Sequence, residues 1–210
     1  MTRARITRGE LMHPSDGVPW FFDSGADSLE FAYSGGMRRA AAGGERLHSP
    51  GDLGAWLADR LGRVDATEVS DRDLADALNL RNALTGLYLA AAADQPLPAD
   101  DVDTVNLYAA TPDIPPVLGG GQRQAGAGRL RVGQVLSTLA RDGIDVFSNR
   151  DEVRVRSCDD ATCGMVFHDE SRTNNRRWCS MERCGNRAKV RAHRERAAMR
   201  RHDERVAEPH

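Results

Sequence analysis

The chain has 210 residues and a mass of 23.0 kDa, which corresponds to one or two domains. Hydrophobic residues make up 40% and charged residues 29%, with a mean hydropathy of −0.54 and a formal net charge of −2. These values exclude a membrane protein, a collagen-like chain and a fully disordered chain. The longest strongly apolar run, residues 87–93, is far shorter than the ~20 residues of a membrane span. Since the N-terminus also lacks the apolar stretch of a secretory signal, we expect a cytoplasmic protein.

The first part of the chain shows few regular patterns. Residues 1–48 are rich in glycine, and their apolar residues form two islands at 20–22 and 29–31. Short runs of this kind are typical of short strands, which we expect here.

Three helices are predicted next. Ser49 and Pro50 supply an N-cap and a first helical position, and a longer helix starts after Ser70. A third helix over residues 101–110 ends before Pro112. Apolar residues three and four positions apart mark the buried face of the long helix, namely Ala77, Leu80, Leu84, Leu87 and Ala91.

A glycine-rich segment separates these helices from the C-terminal third. Residues 119–128 lack the Gly-Lys-Ser/Thr ending of a phosphate-binding loop, so we interpret them as a connector. A short strand is expected at residues 130–132. A last helix follows, whose buried positions are Val135, Leu136, Leu139 and Phe147.

All four cysteines lie within 27 positions, in two C-x4-C pairs separated by fifteen residues: Cys158, Cys163, Cys179 and Cys184. In a cytosolic chain disulfides are disfavoured, and paired cysteines of this kind indicate a metal site. Four thiolates about 2.3 Å from a Zn²⁺ ion form a closed tetrahedron with no position left for water, so the metal is expected to be structural. Two disulfides, a thiol redox switch and an iron–sulfur cluster are the alternatives.

The cysteine segment also predicts two strands and a small core. Residues 152–156 alternate polar and apolar, and residues 165–167 form a second short strand, with a turn near Asn174. Trp178 and Phe167 are expected to fill the apolar centre of the module.

Positive charge is concentrated at the C-terminal end. Residues 171–201 contain eleven basic and two acidic side chains, a net charge of about +9, so the rest of the chain carries about −11. From about residue 187 to 201 nothing interrupts a helix. Four of its arginines fall on one stripe, namely Arg187, Arg191, Arg194 and Arg201. Such a helix suits a phosphate backbone, and a merely solvated surface is the alternative.

Several motifs together resemble one known family. Residues 184–187 read CGNR, residues 176–181 read RRWCSM, and residues 189–196 read KVRAHRER. With residues 167–172 they match the CGNR zinc-finger family over about forty residues. The resemblance implies a bacterial transcription regulator with a stress-related N-terminal domain of the ABATE type and a C-terminal DNA-binding finger, and it makes the four cysteines zinc ligands.

The resemblance is weaker in the N-terminal part. Relatives carry a segment similar to L-D-F-x-N-T, whereas this chain has Glu30, Tyr33 and Ser34 at the Asp, Asn and Thr positions. No effector-binding role is therefore carried over to these three residues.

We predict an α+β protein with a mostly helical regulatory domain over residues 1–149 and a zinc module over residues 150–205. The module is expected to have a treble-clef or ribbon-like hairpin followed by a basic helix, and to unfold by itself when the metal is removed. We expect a transcription regulator that binds DNA, with an effector at the N-terminal domain, a homodimeric state and no catalytic site. Predicted nucleic-acid contacts are Arg176, Arg177, Arg187, Lys189, Arg191 and Arg194. A protein- or RNA-binding module and a thiol redox sensor are the alternatives.

Overall fold

A computed structural model describes residues 6–12, 17–35, 37, 44–61, 68–116, 130–148 and 154–207, the last six of these by their backbone alone. The predicted connector at 119–128 and the predicted boundary between residues 149 and 150 lie outside this part of the chain. No helix among the described residues is long and apolar enough to cross a membrane.

The N-terminal part begins with a hairpin. Strand β1 (Glu10–Met12) pairs antiparallel with β2 (Trp20–Phe22), and Leu11 lies opposite Phe21. Phe22 and Met12 are buried, whereas Leu11 and Phe21 are exposed, so one face of the hairpin covers the core. The island at 20–22 is a strand as predicted.

The second island, at 29–31, is helical, so the expected strand is wrong. Helix α1 (Asp27–Ala32) is six residues long and all of its side chains are buried. A fully buried helix this short shows no amphipathic period, and an apolar run of its length is equally compatible with a strand.

Four longer helices build the rest of the domain: α2 (Pro50–Leu61), α3 (Asp71–Ala92), α4 (Ala99–Ala109) and α5 (Val132–Ser148). Their starts follow the predicted signals. Ser70 accepts a hydrogen bond from the backbone of Asp73, and the Asp73 carboxylate accepts one from the backbone of Ser70. At 130–132 the structure has no strand, because α5 begins at Val132.

The C-terminal part is a small hairpin and a long helix. Strand β3 (Val155–Ser157) pairs antiparallel with β4 (Val166–His168). Each of the two strands ends one residue later than predicted. A π-type helical turn over Met181–Gly185 runs directly into α6 (Asn186–Ala207). The α+β architecture, with a mostly helical first part followed by a small hairpin and a long C-terminal helix, is therefore confirmed.

The two parts share one core. The buried residues of the first helices and those of the cysteine hairpin form a single hydrophobic cluster. The Tyr33 hydroxyl donates to the carbonyl of Val166 and accepts from its amide, both at 2.8 Å, and His168 N–H donates to Ser24 O at 2.7 Å. The expectation of an independently folding finger does not agree with these contacts.

Candidate metal centre and nucleic-acid interface

The first cysteine pair lies in the turn between β3 and β4. The amide of Cys158 donates to Met165 O at 2.8 Å, and the amide of Cys163 donates to Asp160 O at 2.8 Å. Gly164 has a φ of +66°, a left-handed conformation that suits glycine. These bonds fold the chain back so that both sulfurs turn toward the same point.

The second pair lies where the chain becomes helical. Cys179 precedes Ser180, whose hydroxyl caps the turn by accepting from Arg183 N, and Cys184 lies inside that turn. Gly185 packs against Met181, and a Cβ at Gly185 would come within 2.5 Å of the Met181 sulfur. The glycine of the CGNR sequence therefore leaves room for the Met181 side chain, which would have to shift if a larger residue stood beside the fourth cysteine.

The four cysteines are buried free thiols, and their sulfurs all lie within 4.8 Å of one another. Cys163 Sγ is 3.4 Å from Cys179 Sγ, and Cys179 Sγ is 3.6 Å from Cys184 Sγ. Four sulfurs about 2.3 Å from a central Zn²⁺ would be about 3.8 Å apart at the corners of a tetrahedron. The donor set and its spacing therefore fit a four-thiolate zinc site.

The crowded thiols share their protons unequally. Hydrogen bonds from Cys163, Cys179 and Cys184 hold the pKa of Cys158 far below its ordinary value. The hydrogen bond between Cys179 and Cys158 raises the pKa of Cys179 far above its ordinary value. The pKa of Cys184 is also lowered, whereas that of Cys163 is raised, so the cluster favours negative charge at Cys158 and Cys184, and a metal would release the remaining protons.

A buried carboxylate connects the first cysteine turn to the basic helix. Asp160 lies between Cys158 and Cys163, is 2% exposed, and holds Thr162 through two hydrogen bonds to Oδ1. Its Oδ2 is 3.2 Å from Arg187 Nη2, and its Oδ1 is 3.6 Å from Arg191 Nη2. Burial acts to raise the pKa of Asp160, but the Thr162 hydrogen bonds and the charges of the two arginines together outweigh it, so the pKa is lowered.

Arg187 also contacts the cluster itself. Its Nη2 donates to Cys184 Sγ at 3.4 Å, which places a positive charge beside the thiolate site. The arginine of the CGNR sequence therefore serves the cysteine cluster in addition to any external ligand.

The prediction for Arg176 requires correction. Its guanidinium donates to three backbone carbonyls, of Asp23, Trp178 and Cys179, and lies 4.3 Å from the centre of the Phe167 ring. These donors are used within the protein, so we remove Arg176 from the candidate nucleic-acid contacts.

The other predicted basic residues are exposed. Arg177 pairs with Asp159 at 2.6 Å and lies over the Trp178 ring. Lys189, Arg191 and Arg194 lie on α6, where none of the described side chains is buried. At 1.5 Å per residue α6 is about 33 Å long, and it presents these charges to solvent.

The three residues that depart from the family pattern have internal roles. The Glu30 carboxylate is buried beside Arg60 at 3.3 Å and accepts from Ser24 N. Ser34 donates to Phe31 O, and Tyr33 contacts β4 as described above. Sequence reasoning missed the roles of Asp160 and Tyr33, because both residues contact partners far along the chain.

Comparisons with known families agree with this division of the chain. The CGNR zinc-finger family model matches residues 154–197. A second model, ABATE, described as "Putative stress-induced transcription regulator", matches residues 25–150. No curated protein gives a significant match. Since the second match spans more than half of the chain, the protein belongs to the ABATE family, and it carries a CGNR zinc finger at its C-terminal end.

Proposed function

We propose that this protein is a transcription regulator that binds duplex DNA through α6, with a structural Zn²⁺ ion held by the four cysteines. The observation that carries the proposal is the direct continuation of the cysteine cluster into a long, exposed and basic helix. Cys184 lies in the turn that leads into α6, so the metal ligands fix the base from which the helix projects. A role on DNA agrees with the cytoplasmic location predicted from the sequence.

The proposed metal has an organising role. A closed shell of four thiolates leaves no open coordination position, so we assign no catalytic step to the site. Arg187 and the backbone amide of Cys179, which donates to Cys158 Sγ at 3.4 Å, stabilise the negative charge of the sulfurs.

The proposed DNA contacts are the exposed cations of α6. Lys189 and Arg194 make no ion pair with any described residue, and Arg191 has only the longer contact to Asp160. Cations of this kind bind phosphates and release counterions, whereas guanidinium groups can also pair with guanine edges. Arg177 lies outside the helix and is a secondary contact.

Salt dependence of duplex binding tests the proposal. Replacing Lys189, Arg191 and Arg194 together by alanine should flatten the slope of log K against log salt by about 2.7, at ~0.9 for each phosphate that is no longer neutralised. Alanine preserves the helix, and none of the three side chains is buried. Fluorescence anisotropy with a mixed-sequence duplex pool at several salt concentrations measures the slope.

A control uses exposed arginines elsewhere. The double variant Arg72→Ala and Arg131→Ala removes two charges, one from α3 and one from the residue before α5, and its slope should equal that of the wild type. An unchanged slope for the α6 variant contradicts DNA binding by this helix. If an equal concentration of single-stranded RNA displaces the DNA duplex from the protein, the RNA-binding alternative is supported instead.

A further inference from the structure

A cavity of about 720 Å³ lies between the segment that enters β2 and one face of α6. Its apolar wall consists of Val18, Pro19 and Trp20 on one side and Val190 on the other. Val18 is 62% exposed and Val190 is 49% exposed, so apolar surface is accessible from solvent here. The volume lies in the range of small-molecule binding sites, about 300–1,000 Å³.

The polar lining of the cavity is mainly cationic. Four arginines contribute to it, opposed by the single carboxylate of Glu182: Arg183, Arg187, Arg191 and Arg194. Arg183 is held in place, because it donates to Val18 O at 3.1 Å and its guanidinium lies 5.8 Å from the Trp20 ring centre. Arg187 and Arg191 are partly neutralised by Asp160.

Arg194 differs from these three. It lines the cavity beyond the reach of Asp160, and within the described part of the chain it has no ion pair. A guanidinium beside an apolar wall and without an internal counterion favours an anionic ligand.

We propose that this cavity binds a small organic anion with an apolar body, such as an aromatic or branched aliphatic carboxylate. The body packs against Trp20 and Val190, and the carboxylate pairs with Arg194 and Arg191. A neutral apolar ligand would cover Arg194 without pairing it, at a desolvation cost, and a bare phosphate would leave the apolar wall in water. This chemistry selects a carboxylate with a hydrocarbon group.

The position of the cavity also implies regulation. Arg187, Arg191 and Arg194 line it and are also on the helix assigned to DNA, so a bound carboxylate and a phosphate backbone compete for the same guanidinium groups. This proposed regulation depends on the proposed function in DNA binding, whereas binding of the carboxylate does not.

Calorimetric titration of the metal-loaded full-length protein with 1-naphthoate tests the binding clause without DNA. We expect saturable binding to one site and at least tenfold weaker binding of 1-naphthalenemethanol, which has the same ring system but no charge. Arg194→Ala should weaken naphthoate binding about tenfold, as expected for the removal of one charge-assisted hydrogen bond, and should leave the alcohol unaffected.

Two further variants separate the cavity from general surface binding. Arg200→Ala removes an exposed charge from α6 outside the cavity and should not change naphthoate binding. Val190→Trp fills the cavity from its exposed side and should abolish binding. Equal affinity for the acid and the alcohol, or undiminished binding by Val190→Trp, would overturn the proposal.

A competition experiment tests the regulatory clause. Saturating naphthoate should weaken duplex binding by the wild type but not by Val190→Trp. If naphthoate binds and duplex affinity does not change, the carboxylate site stands and the regulatory clause is wrong. If the protein binds naphthoate but no duplex, the proposed DNA function fails while the carboxylate site remains.

Discussion

Asp160 shows how a single side chain joins the two chemical features of the C-terminal part. It is fixed from within the first cysteine turn by Thr162, and it holds two arginines that lie 27 and 31 positions further along the chain. A buried carboxylate between two guanidinium groups sets how the basic helix leaves the metal centre. The same contact also neutralises part of the charge that the helix offers to DNA.

Replacing Asp160 by asparagine should therefore strengthen the salt dependence of duplex binding. Asparagine retains the Oδ1 acceptor for Thr162 but removes the one negative charge that Arg187 and Arg191 share, so the slope of log K against log salt should steepen by up to about 0.9. Anisotropy titrations at a series of salt concentrations measure this change.

The control for this variant is Glu195→Gln. It alters the net charge of the protein equally, but Glu195 is exposed on α6 and forms no ion pair with any arginine whose side chain the structure describes. Equal slopes for the two variants would show that Asp160 does not restrain the helix.

At the scale of elements, the features that could be predicted from the sequence are those that depend on short stretches of the chain, such as helix starts and cysteine spacing. Helices α2 to α5 and α6 begin where caps and periodicity predicted them within a few residues, because these signals are independent of the rest of the fold. The four cysteines were found by spacing, since two short turns require their members to lie close together. The direction of a side chain is not encoded in this way. Counting charges placed Arg176 with the DNA contacts, although its guanidinium points inward to three carbonyls.

The ion pair between Arg81 and Glu45 makes a contribution to stability that depends on pH in a defined way. Arg81 on α3 is buried and donates two hydrogen bonds of 2.6 Å to the Glu45 carboxylate. The Arg81 hydrogen bonds lower the pKa of Glu45 from 4.5 to about 2. A carboxyl with a depressed pKa in the folded state stabilises the protein above its unfolded pKa, and this contribution is lost as the pH falls from 4.5 toward 2.

We expect Glu45→Gln to lower the free energy of unfolding by about 1–2 kcal/mol at neutral pH, toward the low end for a charge-assisted pair because Glu45 is partly solvated. The difference from the wild type should shrink as the pH falls below 4.5. Urea unfolding at several pH values measures it. Asp103→Asn, at an exposed position on α4, should show no such trend, and a pH-independent difference for Glu45→Gln would exclude the pair as its cause.

On the scale of the whole molecule, the cysteine module and the helical domain stabilise each other. Tyr33 satisfies both the amide and the carbonyl of Val166, and Arg176 reaches back to Asp23 O. Because the hydrophobic cluster continues across both parts, disorder in one exposes apolar surface of the other.

Removal of the metal should consequently affect more than the finger. We expect a chelator to increase hydrogen exchange in residues 20–33 as well as in residues 154–185, because the first group packs on β4. Exchange measured by mass spectrometry, with zinc content followed in parallel, checks this. An increase confined to residues 154–201 would instead restore the independent finger expected from the sequence.

Tyr33→Phe provides the reverse test of the same coupling. It leaves two buried backbone groups of Val166 without partners and should reduce stability by about 2–4 kcal/mol. Exchange in the cysteine turns should rise even with metal bound. Tyr108→Phe removes a hydroxyl that contacts Asn79 and Asp76 near the surface and should leave those turns unaffected.

Gly25 shows how closely these two parts are fitted. Its φ is +90°, and a Cβ there would come within 2.2 Å of the carbonyl oxygen of His168 on β4. Any other residue at this position would force the strand away from the domain that supports it. The cysteine module therefore fits this particular N-terminal domain. If residues 154–197 were fused to a different domain, β4 would lack the close-fitting surface that Gly25 provides here.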